Sequence, residues 1–167
     1  MLSRRIRFTA STLAAAAALA LHLATAHAGS GSPDLGDGVV KVRSAYPLAE
    51  TIARIKDDIH AKGLMFFSQI DQAKLAADAG VTIHPSVLLQ FGNPALGTLF
   101  ISSNPSAGLD WPVRLLLVED AQGAVWAEYT DFAWIAHRHH IKDRPADFAM
   151  ASKVIASVTA SVASKQP

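Results

Sequence analysis

The stretch VRLLLVEDAQGAVWAEYT, residues 113–130, predicts a β-hairpin at the centre of a sheet. Its first half is apolar at consecutive positions, which is typical of a strand covered on both faces. The segment DAQG at 120–123 predicts the turn, with Gly123 available for a positive φ, and residues 125–130 return as the second strand. Because a doubly apolar strand needs cover on its second face, the hairpin also predicts a homodimer.

Three further strands extend this hairpin into a five-stranded sheet. Alternating Val and basic residues predict a strand at 39–43. Apolar runs predict two more strands, at 64–70 and 87–91, and Gly92-Asn93-Pro94 closes the second of them.

Two amphipathic helices are predicted, one near each end of this set of strands. Apolar residues recur at helical spacing between Pro47, which suits a first helical turn, and Gly63, which stops the helix. Ile55 lies on this stripe. A second stripe, which includes Ile155, follows Pro145 and runs towards the end of the chain.

Shorter helices are expected between the strands. Asp71 and Asp131 each stand where an Asp caps the first turn of a helix. Residues 97–104 are ambiguous, because their TLFI run favours a strand whereas Thr98 is a possible cap of a short helix.

The resulting order, β-α-β(4)-α, predicts an α+β domain of two layers. The first and last helices pack on one face of an antiparallel sheet, and the other face is left to solvent, a ligand or a partner. We expect one such domain over residues 39–165.

The N-terminal 28 residues have the features of a cleavable signal peptide. Arg4, Arg5 and Arg7 precede a long Ala- and Leu-rich stretch, and Ala26-His27-Ala28 matches the small-x-small cleavage pattern. Residues 29–38 then predict a flexible linker of Gly, Ser, Pro and Asp. We therefore expect a periplasmic or secreted protein with no membrane segment after cleavage. Export through Sec is favoured over the twin-arginine route, because Arg7 stands where the twin-arginine motif prefers Phe.

The composition argues against a nucleic-acid partner and against stabilisation by disulfides. Three of the fifteen basic residues lie in the leader, so the rest of the chain has twelve basic and fourteen acidic residues. With no basic surplus to neutralise phosphates, a nucleic acid is not an expected partner. The chain has no cysteine, so no disulfide framework supports the exported domain. We expect no cofactor.

The segment His137-Arg138-His139-His140 is the densest group of metal-ligand residue types. On a helix, His137 and His140 lie one turn apart, and imidazole suits Zn, Cu and Ni. His139 follows Ile135 by four residues and thus falls on the core-facing stripe. A buried, hydrogen-bonded structural role is therefore favoured for His139, and a metal site at His137 and His140 is kept as the alternative.

Other candidate groups have plainer interpretations. Phe91-Gly92-Asn93-Pro94 is either a ligand loop or a turn that Gly and Pro favour. Glu119 and Asp120 alternate along a strand end, so their carboxylates point apart, a poor geometry for an acid/base pair. The three tryptophans, Trp111, Trp126 and Trp134, either line an aromatic pocket or pack in the core and at interfaces. No serine stands in a G-x-S-x-G context, and we assign no catalytic residue.

One series of motifs, in this order along the chain, resembles the family of domain of unknown function 302. It comprises Thr51, residues 76–80, Phe91-Gly92-Asn93-Pro94, Gly97-Thr98, Leu109-Asp110-Trp111-Pro112, Glu119-Asp120, Tyr129-Thr130-Asp131, Ile135-Ala136 and Arg138-His139.

The resemblance covers roughly residues 39–141 and implies a β-α-β(4)-α fold of the TATA-binding-protein-like kind, with no established reaction or catalytic residues. The chain departs from the family at two positions. Members often carry a His where this chain has Gln72, and a Leu-Pro pair is usual where it has Trp111-Pro112. The first departure weakens any mechanism built on a histidine in that loop.

Taken together, these features favour a non-catalytic module that binds a ligand or a partner outside the cytoplasm. Its ligand would lie between sheet and helices or on the free sheet face. A small metal-handling protein or enzyme that uses His137, His139 or His140 is the alternative.

Overall fold

The computed structural model describes residues 36–163. The predicted signal peptide at 1–28, residues 29–35 of the predicted linker and the last two residues of the predicted domain lie outside this range. Within it, the chain forms five strands, five α-helices and one short 3-10 helix. In chain order these are β1 (Val39–Arg43), α1 (Leu48–Ala61), β2 (Met65–Asp71), α2 (Gln72–Asp78), β3 (Ser86–Gly92), α3 (Pro94–Ser103), the 3-10 helix (Pro105–Leu109), β4 (Val113–Glu119), β5 (Val125–Thr130), α4 (Phe132–Arg138) and α5 (Pro145–Ala160).

All five strands belong to one antiparallel sheet, in the spatial order β1-β5-β4-β3-β2. The predicted hairpin of β4 and β5 is confirmed, with Leu117 opposite Ala127, and β4 is the central strand. The predicted α+β class and the order β-α-β(4)-α are thereby confirmed.

The core lies between one face of this sheet and the helices. Ile55 and Ile59 of α1 and Ile155 of α5 are buried against Leu89 and Leu115 of the sheet. These are the positions at which the apolar stripes of the sequence meet the inward-facing residues of the strands, because side chains alternate between the two faces of a strand. Both predicted stripes therefore face one core.

Within residues 36–163, the opposite face of the sheet is only half-buried at its centre. Leu116 and Val118 of β4 point to it and are half-buried, whereas Leu115 and Leu117 are fully buried on the helix side. The sequence predicted cover on both faces of β4. Within one chain, β4 is fully covered on the helix side only.

The ambiguous segment 97–104 is helical. The helix α3 begins earlier, at Pro94, and the side chain of Asn93 caps it by accepting hydrogen bonds from the amides of Ala95 and Leu96. Thr98 is no cap, since its hydroxyl donates to the carbonyl of Pro94 inside the helix.

The last three residues of the predicted linker, 36–38, lie within the described range, and Gly38 contacts the domain. Gly38 has a φ of +73° and lies so close to the Trp134 ring that no side chain fits there. Its carbonyl also accepts a hydrogen bond of 2.8 Å from the amide of Asp131. Among residues 36–163, no helix has both the length and the apolar character that crossing a membrane requires.

Candidate ligand pocket

A cavity of about 110 Å³ opens between the helix layer and the end of the sheet where β3 finishes and β4 begins. Apolar side chains and glycines form almost all of its wall. The lining residues are Leu64, Phe91, Gly92, Asn93, Leu96, Gly97, Phe100, Trp111, Val113, Phe132, Met150, Ala151, Val154 and Ile155. Two motifs of the sequence, Phe91-Gly92-Asn93-Pro94 and Leu109-Asp110-Trp111-Pro112, therefore meet at one place.

The indole of Trp111 lies against two glycines of this wall. A Cβ atom placed on Gly97 would lie 2.0 Å from the indole Nε1, and one on Gly92 would lie 3.1 Å from it. Neither glycine has a positive φ, so close approach rather than turn geometry explains why glycine suits these sites. The glycines admit the Trp111 ring to the wall of the pocket.

A β-bulge holds the other side of the same ring. The pairing of β2 with β3 shifts register between Phe66 and Ser68, which leaves Phe67 as the extra residue. The Phe67 ring meets the Trp111 ring edge-on, with centroids 5.6 Å apart. Bulges commonly re-aim a side chain beside a functional site, and here the bulge supports Trp111.

Exposed apolar side chains surround the pocket. Met150, which lines it, is 57% exposed. Met65 and Phe67 of β2 are also exposed, although Met65 pairs with Gly92 of the pocket wall and Phe67 contacts Trp111. Exposed apolar side chains beside a cavity are typical of a ligand-binding groove.

Next to Trp111 in the chain, Asp110 forms a buried charge cluster. Its carboxylate accepts hydrogen bonds from Arg114 (2.7 Å) and Arg138 (3.2 Å), and it lies 2.6 Å from Nε2 of His139. The side chains of Asp110 and His139 are 3% and 4% exposed, whereas both arginines are more than 40% exposed. The cluster joins the loop before β4 to the end of α4. It leaves the Asp110 carboxylate fully occupied by protein partners.

The predicted histidine group divides into a buried member and two exposed ones. His139 is buried against Asp110, and the side-chain amide of Asn104 donates to its backbone carbonyl. His137 and His140 are exposed, with ring centroids 6.4 Å apart. Within residues 36–163, no group of three or more His, Cys, Asp or Glu side chains is placed to hold a metal ion.

The remaining candidates are structural in their contacts. Asp120 organises the β4–β5 turn, because its carboxylate accepts hydrogen bonds from the Trp126 indole and from the amides of Gln122 and Ala124. These hydrogen bonds, the one from Trp126 foremost, lower the pKa of Asp120 below its ordinary value of 3.8. Trp134 packs over Gly38, so Trp111 alone of the three tryptophans lines the pocket.

Sequence reasoning found part of this site. Phe91-Gly92-Asn93-Pro94 is both the predicted turn and a wall of the pocket. The contribution of α5, through Met150 and Val154, was missed, and so was the pairing of Asp110 with His139. The two glycines that precede Trp111, Gly92 and Gly97, were the only sequence signal for this pocket. Their role becomes clear only when β3 and α3, which carry them, are seen to meet at the Trp111 ring.

Comparison with known proteins gives a family and a fold. The chain is similar to the fluoride-specific ion channel FluC 1 of Brucella suis biovar 1, with 37% identity over 107 residues, which are 64% of this chain and 42% of the relative. It is also similar to the protein of the same name in Brucella abortus biovar 1, again with 37% identity, over 64% of this chain and 40% of the relative. The chain thus spans about two fifths of the length of these curated relatives.

Among solved structures, the crystal structure of an uncharacterized conserved DUF302 protein from Bacillus stearothermophilus superposes with a TM-score of 0.70. The match covers 76% of this chain and 99% of that one at 16% identity, so it shows a shared fold. The model of the family described as domain of unknown function DUF302 matches residues 40–162, nearly the whole of the described domain. The chain belongs to the DUF302 family.

Proposed function

We propose that this domain is a non-catalytic module that binds a small apolar molecule in the pocket beside Trp111. The observation that carries the proposal is the convergence of two separate motifs, at 91–94 and 109–112, on one apolar cavity. A turn alone would not require Gly97 to accommodate an indole ring. The default binding site of a small domain is its best-formed apolar pocket with a few polar groups, and this pocket has that composition.

The size of the cavity fits one ring or a short branched chain. An engineered protein cavity of about 150 Å³ lined by apolar side chains stays dry and binds benzene. The cavity described here is similar in volume, at about 110 Å³. It opens beside Met150, and methionine has a flexible, unbranched side chain.

The chemistry of the wall argues against two other activities. No charged side chain lines the pocket, so a fluoride ion, for which the Brucella relatives are named, would find no counter-charge there. The buried carboxylate of Asp110 is engaged by Arg114, Arg138 and His139, and none of these three partners is a hydroxyl or thiol nucleophile. A binding role therefore fits the described residues better than hydrolysis or ion transport.

Calorimetric titration with α-methylstyrene, a planar hydrocarbon of suitable size, tests the proposal. We expect a dissociation constant on the order of 1 mM or tighter, as the ligand efficiency of such small compounds allows. Val154→Phe fills the pocket from α5 and should weaken binding at least about tenfold. Ala156→Phe, on an exposed position of the same helix, is the matched control and should bind as the parent does. Equal binding by all three proteins, or a parent that binds neither this hydrocarbon nor its carbonyl analogue acetophenone, would refute the proposal.

We further propose that the domain works in the periplasm or outside the cell after removal of residues 1–28. Support comes from the three arginines, the apolar stretch and the Ala26-His27-Ala28 pattern that precede it. Protein recovered from the cell envelope of its host should begin at Gly29. An intact mass that retains Met1 would contradict this expectation.

A further inference from the structure

The indole N–H of Trp111 stands out among the polar groups of the pocket. No described residue accepts a hydrogen bond from it, whereas Asp120 accepts one of 2.8 Å from the indole of Trp126. The described side chains include no fully buried polar atom without a partner, so the Trp111 N–H is not sealed inside protein. It is a donor without an acceptor among the described residues, on a side chain that lines the pocket.

The ring that carries this N–H is held in place before any ligand arrives. Gly92 and Gly97 lie against the part of the indole that includes Nε1 and Cε2, and Phe67 packs against the ring from the bulge in β2. Asp110, the residue before it, is anchored by its three cationic or imidazole partners. A donor fixed in this way loses little conformational freedom on binding, which is the condition for a hydrogen bond to contribute to selectivity.

The second polar group of the wall is also a donor. The Oδ1 atom of Asn93 is occupied by the amides of Ala95 and Leu96, which leaves the Nδ2 amide hydrogens of Asn93 for other partners. The pocket therefore offers donors without any cationic side chain in its lining. Such a wall matches a neutral acceptor better than a carboxylate, whose charge would be buried without a counter-ion.

We propose that the ligand is a neutral carbonyl compound, a ketone or an ester of about one ring in size, whose oxygen accepts a hydrogen bond from Nε1 of Trp111. This inference rests on the proposed function and adds the chemical class of the ligand. Trp111 is then a specificity-determining residue.

The test compares acetophenone with α-methylstyrene, which has the same shape with a CH₂ group in place of the carbonyl oxygen. Titrations are run on the full domain, on Trp111→Phe and on Trp126→Phe. We expect the preference for acetophenone over α-methylstyrene to fall about fivefold in Trp111→Phe, because one hydrogen bond is lost. Trp126→Phe, which removes an indole N–H remote from the pocket, should keep the preference of the parent.

A measurement on the parent protein keeps the test decisive if Trp111→Phe does not fold. Acetophenone should move the Trp111 indole N–H resonance downfield in a ¹H–¹⁵N spectrum, and α-methylstyrene should not. If α-methylstyrene binds but the preference is unchanged and the resonance does not move downfield, the carbonyl inference is overturned and the apolar pocket stands. If neither compound binds, the proposed function and this inference both fail.

Discussion

Asp110 and Trp111 are neighbours in the chain, and they have different roles at this end of the sheet. The Trp111 ring forms a wall of the pocket, while the Asp110 carboxylate ties the same loop to Arg138 and His139 at the end of α4. Burying a carboxylate without partners costs several kcal/mol, so the charge partners are a condition for placing Asp110 there at all. The loop that carries Trp111 is consequently fixed by electrostatics on one side and by ring packing on the other.

Removal of His139 should destabilise the domain, and removal of His137 should not. His139→Ala takes a partner from a buried carboxylate and leaves a gap, so we expect a loss of about 1–3 kcal/mol in the free energy of unfolding. His137→Ala, at an exposed site, should change it by less than about 0.5 kcal/mol. Chemical denaturation of the three proteins measures both effects.

The same variants test the metal alternative. A site shared by His137 and His140 predicts that Zn²⁺ or Cu²⁺ raises the melting temperature of the parent and that His137→Ala abolishes the effect. The exposed pair, whose ring centroids are 6.4 Å apart, has no third protein ligand within residues 36–163. We therefore expect no one-to-one binding in the sub-micromolar range to metal-stripped, tag-free protein. Such binding, if it is lost in His137→Ala, would favour the metal-handling role instead.

The hydrogen bond from Trp126 to Asp120 makes part of the stability depend on pH. Because the fold lowers the pKa of Asp120, its contribution is fully present above the unfolded value of 3.8 and is lost as the pH falls through the lower, folded value. Trp126→Phe removes the largest cause of that shift. The stability difference between parent and Trp126→Phe should therefore shrink on acidification below about pH 4. Denaturation curves at neutral and acidic pH measure it, and a constant difference would contradict this origin.

At the scale of elements, the two long helices are held by apolar stripes that face one core. Ile55→Asp and Ile155→Asp each bury an unpaired carboxylate, and each should cost several kcal/mol. Ala53→Asp and Ala156→Asp, on the exposed faces of the same helices, are the matched controls and should cost far less. Thermal unfolding of the parent and the four variants measures these differences in stability. If the Ile variants melt like the controls, the stripes do not face a core.

Elements with a periodic signal were predictable from the sequence, and those set by a single long-range contact were not. The stripes of α1 and α5 and the hairpin of β4 and β5 repeat the period of their structure over many residues. In α3 the TLFI run favours a strand, but the Asn93 cap, Pro94 in the first turn and the stacking of Phe100 on Phe148 at 4.1 Å together favour a helix. The last of these joins residues 48 positions apart, which local patterns do not encode.

The candidate site shows the same division. The motif at 91–94 was visible as a turn, and the burial of His139 followed from its helical spacing. The pocket itself depends on how α5 lies over the end of the sheet. Val154 and Met150 of α5 complete the lining, and residues of the strands and loops form the rest of it. Likewise, the partnership of Asp110 with His139 spans 29 residues and needs the loop before β4 to meet the end of α4.

On the scale of the whole molecule, one face of the sheet packs on helices, and the other, here called the open face, is only half-buried over β4 among the residues that the structure describes. Leu116 and Leu88, which are paired across β4 and β3, lie half-buried on the open face, and Val118 and Trp126 form the next pair beside them. Glu128 of β5 pairs directly with Leu116 on this face and forms a salt bridge of 3.0 Å with Lys41 of the edge strand β1. A face that combines apolar side chains with a paired charge is compatible with a protein interface.

The homodimer that the sequence predicts would cover this open face with the same face of a second copy. Leu116 lies on the central strand, so a two-fold axis through the middle of the face would bring it close to its own counterpart. Leu116→Glu would then place two like charges together and should convert a dimer into a monomer that still folds, since Leu116 is half-buried in the single chain. Ala53→Glu, at an exposed position of α1 on the helix side of the sheet, is the matched control and should leave the dimer intact. Sedimentation at tens of micromolar protein distinguishes the masses, and circular dichroism checks the fold of each variant. A parent that sediments as a single chain would show that this face binds no second copy, and Leu116 and Val118 would then be ordinary half-exposed residues of a one-sided sheet.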